Sequence, residues 1–161
     1  GATELERVAD VTSVPVVDEA RACAVAYQGR VVCFDVTRGT ALWVRDISSF
    51  SGMAADNRNL YITDDKNAVV ALDKSNGSSV WKQDKLFGRG VSRPLALGRY
   101  VIVGDYQGYV HLLSREEGVF LARVSTDGSP IRVAPRVIER GNLSIVLVQT
   151  SGGGLYAIAG E

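Results

Sequence analysis

Three segments of the chain repeat one pattern, and this repeat constrains the fold more than any other feature. The segments are GRVVCFDVTRGTALW (29–43), NAVVALDKSNGSSVW (67–81) and GYVHLLSREEGVFLA (108–122). In each of them a glycine follows an Asp or Ser by four residues, and four residues later stands Trp43, Trp81 or, as an exception, Ala122. The segments begin 38 and 41 residues apart, and a fourth copy begins at Gly153. A period of about 40 residues is typical of propeller blades.

A second marker has the same period. Pro15, Pro94 and Pro135 stand at one phase of the repeat, and Met53 takes the corresponding place in the second copy. Within a copy, the order is a strand after the proline, a second strand such as NLYIT, a turn, a third strand such as AVVALD, and a fourth strand that holds the Trp. Four antiparallel strands in about 40 residues predict a blade of a β-propeller. The alternative is a β-sandwich whose spacing is a coincidence.

The residues at the turns fit this interpretation. An Asp or Ser side chain accepts hydrogen bonds from turn amides, and glycine adopts a positive φ without strain. Trp43 and Trp81 are expected to wedge between blades, where an indole buries a large area and its N–H reaches a carbonyl.

The predicted fold class is therefore all-β, a partial propeller of about four four-stranded blades. The predicted boundaries are an inter-blade connection at 1–11, blades at 12–49, 50–88 and 89–127, and an incomplete last blade at 128–161. The first segment, GATELERVADVTSVPVV, is interpreted as the exit from an earlier blade, so the chain is expected to be a portion of a longer propeller. An open ring exposes strand edges and apolar faces between blades, which predicts self-association or a partner chain.

Bulk composition excludes several classes of partner and location. The 18 basic and 18 acidic residues cancel, which argues against nucleic acid or an anionic membrane as the main partner. No apolar run reaches the roughly 18 residues of a membrane helix. Because no targeting pattern is visible, the chain is expected either to be cytosolic or to have lost an export signal.

Catalytic and metal-binding patterns are weak. His111 is the only histidine, and its position within a strand favours a structural role over a catalytic triad or a multi-histidine metal site. The segment TDDKNA (63–68) has two carboxylates, but a hairpin turn explains it better than a calcium loop. No catalytic residue, metal ligand or cofactor is predicted. The basic segment KLFGRGVSRP (85–94), with Phe87 in it, is either a solvated connection, which we favour, or an aromatic anchor for a partner.

The two cysteines, Cys23 and Cys33, flank one predicted hairpin. A two-residue turn at Gln28 and Gly29 would point the sulfurs to opposite faces, whereas a three-residue loop would bring them directly across from each other. A disulfide is therefore possible in an oxidising compartment. Otherwise both residues are small buried hydrophobes.

The repeat pattern Gly-x-(Leu/Val)-x-Ala-Leu-Asp-x-x-x-Gly-x-x-x-Trp resembles that of quinoprotein (PQQ-type) propellers, which include enzymes and non-enzymes. Quinoprotein dehydrogenases carry adjacent cysteines over the cofactor and a calcium site, and this sequence lacks both signals. A fragment of such a PQQ-dependent dehydrogenase is one alternative function, and a generic propeller interaction module is another.

A more specific resemblance covers nearly all 161 residues. The segments GATELERVADVTSVPVV, AYQGRVVCFDVTRGTALW and VGDYQGYVHLLSREEGVFLARV are similar to the C-terminal half of the BamB family, including the exception at Ala122. These proteins are eight-bladed lipoprotein subunits of the β-barrel assembly machinery, so four blades would be about half a ring. The resemblance implies a non-enzymatic scaffold on the periplasmic side of the outer membrane, whose lipid anchor lies upstream of Gly1. It also implies binding to the POTRA region of BamA and help in delivering unfolded outer-membrane proteins.

The same resemblance indicates a partner-binding site in the first segment. Family members use the acidic residues of the stretch that corresponds to ADVT to hold the barrel subunit. Asp10 retains one carboxylate, whereas Thr12 stands in the second acidic position, and Arg7 and Val11 complete the predicted site. A carboxylate there would contribute orientation and association rate more than affinity. The alternative is that Asp10 only caps its own turn.

Overall fold

The computed structural model describes residues 13–25 and 29–159. They form fifteen strands in four antiparallel sheets, each in simple meander order. The first sheet has β1 (Val16–Val17), β2 (Arg21–Val25), β3 (Val31–Asp35) and β4 (Thr40–Arg45), and the second has β5 (Gly52–Ala55), β6 (Asn59–Thr63), β7 (Val69–Asp73) and β8 (Ser79–Gln83). The third has β9 (Leu95–Leu97), β10 (Tyr100–Gly104), β11 (Tyr109–Ser114) and β12 (Phe120–Ser125). The fourth has β13 (Arg136–Arg140), β14 (Leu143–Gln149) and β15 (Leu155–Ala159).

The buried core lies between consecutive sheets. One apolar cluster joins the first and second sheets, another the second and third, and another the third and fourth. Successive side chains of β6 point to opposite faces of the sheet, which explains this arrangement. Leu60 and Ile62 lie in the first cluster, whereas Tyr61 lies in the second. A strand in the middle of a blade is therefore apolar on both faces. This side-by-side packing is that of a propeller, and the predicted fold class is confirmed.

The described part of the chain contains no helix long and apolar enough to cross a membrane. Its sheets lie at 16–45, 52–83, 95–125 and 136–159. The blade boundaries given above remain predictions about where one repeat ends and the next begins.

Each tryptophan is wedged against the next blade, as predicted. The Trp43 indole N–H donates to the Lys74 carbonyl at 3.0 Å, and the Trp81 indole N–H donates to the Arg115 carbonyl at 2.9 Å. Both acceptors lie in the turn between the third and fourth strands of the following sheet. The glycine of that turn allows the ring to approach, because a Cβ at Gly118 would stand 2.3 Å from the Trp81 ring.

The turns of the repeat have the expected geometry. The Gly39, Gly77 and Gly118 amides donate to the carbonyls of Asp35, Asp73 and Ser114 respectively, each at 2.8 Å. All three glycines have a φ between +66° and +74°. The conserved spacing of Asp or Ser and glycine thus closes one kind of turn in three sheets.

The two cysteines lie directly opposite each other. Cys23 on β2 pairs with Cys33 on β3, which is the register of the three-residue alternative, and their sulfurs form a disulfide. Both residues are almost fully buried, at 1% and 0% exposure, in the cluster between the first two sheets. The bond therefore links the two middle strands of a blade within its apolar core.

Removing this disulfide should lower the free energy of unfolding by about 2–3 kcal/mol, because a closed loop of about ten residues restricts the unfolded chain. The measurement is urea unfolding of the Cys23→Ala/Cys33→Ala variant beside the unaltered protein. Addition of a reductant is the control, since it should shift the unfolding midpoint of the unaltered protein alone. Equal stability of the two oxidised proteins would contradict the prediction.

Candidate partner-binding face

One end of the propeller is built from two kinds of loop that hydrogen-bond to each other. The connections between sheets run through 46–51, 84–94 and 126–135, and the turns between second and third strands lie at 64–68, 105–108 and 150–154. Asp65 N–H donates to the Ser48 carbonyl, Tyr106 N–H to the Arg89 carbonyl, and Ser151 N–H to the Pro130 carbonyl, all at 2.8 or 2.9 Å. Each connection therefore lies beside the turn of the blade that it enters. We call these loops together the loop face.

Two connections also bind the turn of the blade that they leave. The Gly90 N–H donates to Asn67 Oδ1 at 2.6 Å, and the Thr126 N–H donates to the Gly108 carbonyl at 3.0 Å. Such bridges on both sides hold neighbouring turns in a continuous surface. Asn67 itself has a φ of +66°, a conformation that asparagine tolerates better than most residues.

A polar side chain organises each of the three turns. Asp64 Oδ1 accepts hydrogen bonds from the Lys66 and Ala68 amides, and Asp105 Oδ1 accepts them from the Gln107 and Tyr109 amides. Thr150 plays the same part, with its hydroxyl oxygen accepting from the Gly154 amide at 3.0 Å. In the segment TDDKNA, the Asp64 carboxylate thus stabilises the hairpin turn.

The connection 84–94 anchors itself in the core and presents an aromatic ring to solvent. Leu86 and Val91 are both 2% exposed and belong to the cluster between the second and third sheets. Between them, Phe87 is 72% exposed. Elsewhere on the loop face, Tyr106 is 51% exposed, and the Arg132 guanidinium lies 5.2 Å from the centre of the Tyr106 ring. Both interpretations of the segment 85–94, a solvated connection and an aromatic anchor for a partner, remain predictions.

A buried cluster of charges underlies the same loops. Asp105 is fully buried, and its Oδ2 accepts hydrogen bonds from Arg89 Nε and engages His111 Nε2, each at 2.8 Å. Arg89 also donates to the Gln107 side-chain oxygen at 2.7 Å. The connection, the turn and β11 are therefore joined through one carboxylate.

The electrostatics of this cluster follow from burial and hydrogen bonding. Burial pushes the pKa of Asp105 upward, but the hydrogen bonds from His111, the Tyr109 amide and Arg89 outweigh it and hold the pKa below its usual value. Burial lowers the pKa of His111 more than its bond to Asp105 raises it. At neutral pH the cluster is thus an ionised Asp105 neutralised by Arg89, with an uncharged His111 as a hydrogen-bond partner.

Neither Arg89 nor Asp105 was singled out from the sequence as a member of a charge cluster. Arg89 is 16 residues and His111 six residues from Asp105 along the chain. No spacing rule connects an arginine in a loop with an aspartate in a turn. The one signal was a lone His111 inside an apolar strand, since a buried histidine needs a polar partner. The structural role predicted for His111 agrees with its 3% exposure and its bond to Asp105.

The predicted site residues Arg7, Asp10, Val11 and Thr12 lie outside the described residues, as does Gln28 of the predicted hairpin turn. Their role in partner binding remains a prediction. The described members of the loop face are the connections and turns given above.

These observations define the class: the chain is a β-propeller of quinoprotein-type repeats, with a continuous loop face that presents aromatic rings and arginines. Residues 1–83 match the family model described as outer membrane protein assembly factor BamB. The chain belongs to this family. The assembly factor BamB of Burkholderia pseudomallei is 46% identical over 152 residues, covering 94% of this chain and 39% of the relative. The chain thus spans about two fifths of the length of that relative.

Solved structures show the same fold. The crystal structure of BamB from Moraxella catarrhalis has a TM-score of 0.81 at 24% identity, over 91% of this chain and 44% of that one. The quinohemoprotein alcohol dehydrogenase of Comamonas testosteroni has a TM-score of 0.67 at 16% identity, over 86% of this chain and 29% of that one. At these identities the likeness concerns the fold alone, so the dehydrogenase lends no support to quinone chemistry in this chain.

Proposed function

We propose that the chain is part of a non-enzymatic scaffold of the machinery that assembles outer-membrane proteins. The observation that carries this proposal is membership in a family whose curated relatives are named outer membrane protein assembly factors. The scaffold works on the periplasmic side of the outer membrane, binds the POTRA domains of BamA, and aids delivery of unfolded outer-membrane proteins. It needs no cofactor for this role.

The chemistry of the loop face supports a protein as the partner. Aromatic residues and arginine are enriched where protein interfaces bind most strongly, because they bury a large area and still make directed polar contacts. Phe87 and Tyr106 supply such rings, and Arg132 lies over the second of them. Hydrogen bonds between neighbouring loops hold these groups in place, which lowers the entropy lost on binding.

Asp10 adds charge complementarity to this proposal. The segment 1–11 is predicted to be an inter-blade connection, and the described connections all contribute to the loop face. A carboxylate in such a connection would orient a basic partner and raise the association rate. At Thr12, where the family pattern has a second acidic residue, the side chain would contribute a hydroxyl group in place of a carboxylate.

Binding of the chain to the isolated POTRA region of BamA tests the proposal. Asp10→Lys should weaken the affinity at least about tenfold, since a charge reversal places like charges together, and Phe87→Ala should weaken it by a similar factor if this ring is an anchor. The measurement is biolayer interferometry at two salt concentrations. The Asp10→Lys effect should shrink at higher salt, whereas the Phe87→Ala effect should persist.

Glu116→Lys is the matched control, because Glu116 is an exposed acid in the turn between β11 and β12, at the other end of the sheets from the loop face. Its charge reversal should leave the affinity unchanged. Unchanged binding by both Asp10→Lys and Phe87→Ala would contradict the proposed site, and no binding by the unaltered chain would contradict the proposed partner. Saturable binding of pyrroloquinoline quinone with calcium would instead favour the dehydrogenase alternative.

A further inference from the structure

A small polar cleft lies where the first strands of the four sheets begin. Its lining comes from the residues just before β1, β5 and β9 and from the start of β13, and includes Ser13, Ser51, Arg93, Arg132 and Arg136. The first strands of neighbouring sheets are also adjacent, with β1 beside β5 and β5 beside β9. All four repeats therefore contribute to one cleft of about 310 Å³. We call it the arginine cleft.

Close packing brings side chains of different sheets together at its wall. A Cβ added to Gly52 would stand 2.9 Å from the Ser13 Cβ and 3.1 Å from the Arg93 Cδ. Gly52 has a φ of +100°, which few other residues adopt. The glycine thus allows Ser13 from the first repeat and Arg93 from the third to approach each other across the second.

The arginine cleft has an excess of positive charge. Within residues 13–25 and 29–159, none of Arg93, Arg132 and Arg136 forms an ion pair with a carboxylate. Arg132 has a ring contact with Tyr106, which leaves its guanidinium positive. Like charges gathered in a concave site repel one another and attract a counter-ion.

Ser13, which lines the cleft, also has an unsatisfied hydroxyl behind the wall. The Ser13 hydroxyl is the one buried side-chain nitrogen or oxygen in the described part of the chain that has no hydrogen-bond partner. Buried polar atoms without partners are rare, and each needs an explanation such as a water molecule or an ion that binds beside it. The neighbouring Ser51 hydroxyl is engaged, since it donates to the Val91 carbonyl at 2.8 Å.

We infer that the arginine cleft binds a phosphate group. Guanidinium groups match phosphate through paired, parallel hydrogen bonds, and several of them can share one phosphate because it has more acceptor oxygens than a carboxylate. The Ser13 side chain lines the same cleft. The ligand is either a small free phosphate compound or the headgroup of a membrane phospholipid. Ser51, Arg93 and Arg132 belong to connections of the loop face, so the arginine cleft borders that face. Its test uses phosphate probes and no partner protein.

Two binding measurements on the complete chain distinguish the two sources. Inorganic pyrophosphate is titrated by calorimetry at low salt, and vesicles of phosphatidylglycerol are tested by co-sedimentation against vesicles of phosphatidylcholine. Binding of pyrophosphate alone identifies a free phosphate compound, and preferential binding to phosphatidylglycerol identifies a lipid headgroup. In either case, Arg93→Gln and Arg136→Gln should each weaken binding about tenfold, which corresponds to the loss of one charged hydrogen bond.

Arg140→Gln is the matched control, because Arg140 lies on the same strand as Arg136 but at its far end, and both are exposed. Its binding should equal that of the unaltered chain. Glutamine preserves much of the arginine stem, and equal unfolding midpoints of all variants show that the fold is intact. The inference is overturned if neither probe binds, or if Arg140→Gln weakens binding as much as Arg93→Gln and Arg136→Gln.

Discussion

Replacement of Gly118 by alanine should lower the free energy of unfolding by about 3 kcal/mol, because the added methyl group collides with an indole and strains the backbone. The Cβ would stand 2.3 Å from Cε3 of Trp81, and Gly118 has a φ of +70°. The ring cannot retreat easily, since its N–H is held by the Arg115 carbonyl. The measurement is urea unfolding followed by tryptophan fluorescence, with circular dichroism as a second probe.

Gly39→Ala is the matched control for this effect. Gly39 occupies the same turn in the first sheet with a φ of +66°, but no atom lies within 4 Å of its added Cβ. It should therefore show the backbone cost alone, about 1 kcal/mol. In a Trp81→Ala background the Gly118→Ala change should also cost only about 1 kcal/mol, because the clash is gone. If Gly39→Ala and Gly118→Ala lower the free energy of unfolding equally, the packing of Trp81 is not the reason that glycine is required at position 118.

Asp105→Ala should lower the free energy of unfolding by about 3–5 kcal/mol, which is the usual cost of removing one partner of a buried ion pair. The variant leaves Arg89 and His111 without their shared acceptor and deprives the Gln107 and Tyr109 amides of theirs. Thermal and urea unfolding provide the measurement. Hydrogen exchange of the Tyr106 amide, which bonds to the Arg89 carbonyl, should also become faster.

Asp64→Ala is the control for Asp105→Ala, because it removes the same kind of turn hydrogen bonds without breaking a buried charge cluster. Asp64 accepts the same two kinds of amide bond in the second sheet, but its ion-pair partner Lys82 is exposed and 3.8 Å distant. Its replacement should cost about 1 kcal/mol, as for other capping side chains. If the two variants lose the same stability, the Arg89–Asp105–His111 cluster contributes nothing beyond its turn.

Much of the fold was predictable because its determinants are local and repeated. The Asp or Ser to glycine spacing encodes a turn through one side-chain acceptor and one positive φ, and the alternation of apolar residues encodes the strands. Repetition of this unit at about 40 residues then implies blades that bury their faces against each other. The tryptophan wedge followed from the same pattern, because the indole stands at a constant distance from the turn.

The candidate sites were less predictable, since they join residues from different repeats. Whether Cys23 and Cys33 face each other depended on the length of one hairpin loop, and the sequence left that length open. The exposure of Phe87 depended on Leu86 and Val91 being drawn into the core on either side of it. Single residues of a loop show no periodicity, so their inward or outward direction could not be deduced.

By itself the sequence determined the blade, the turn chemistry and the family resemblance, because these depend on neighbours within about 40 residues. Only the tertiary structure decided that Arg89 neutralises Asp105, and that Arg93, Arg132 and Arg136 share a cleft with Ser13. The physical reason is that these groups meet only after the chain has folded, since they are distant in sequence and close in space. The curvature of four packed sheets sets those distances, and no pattern along the chain records it.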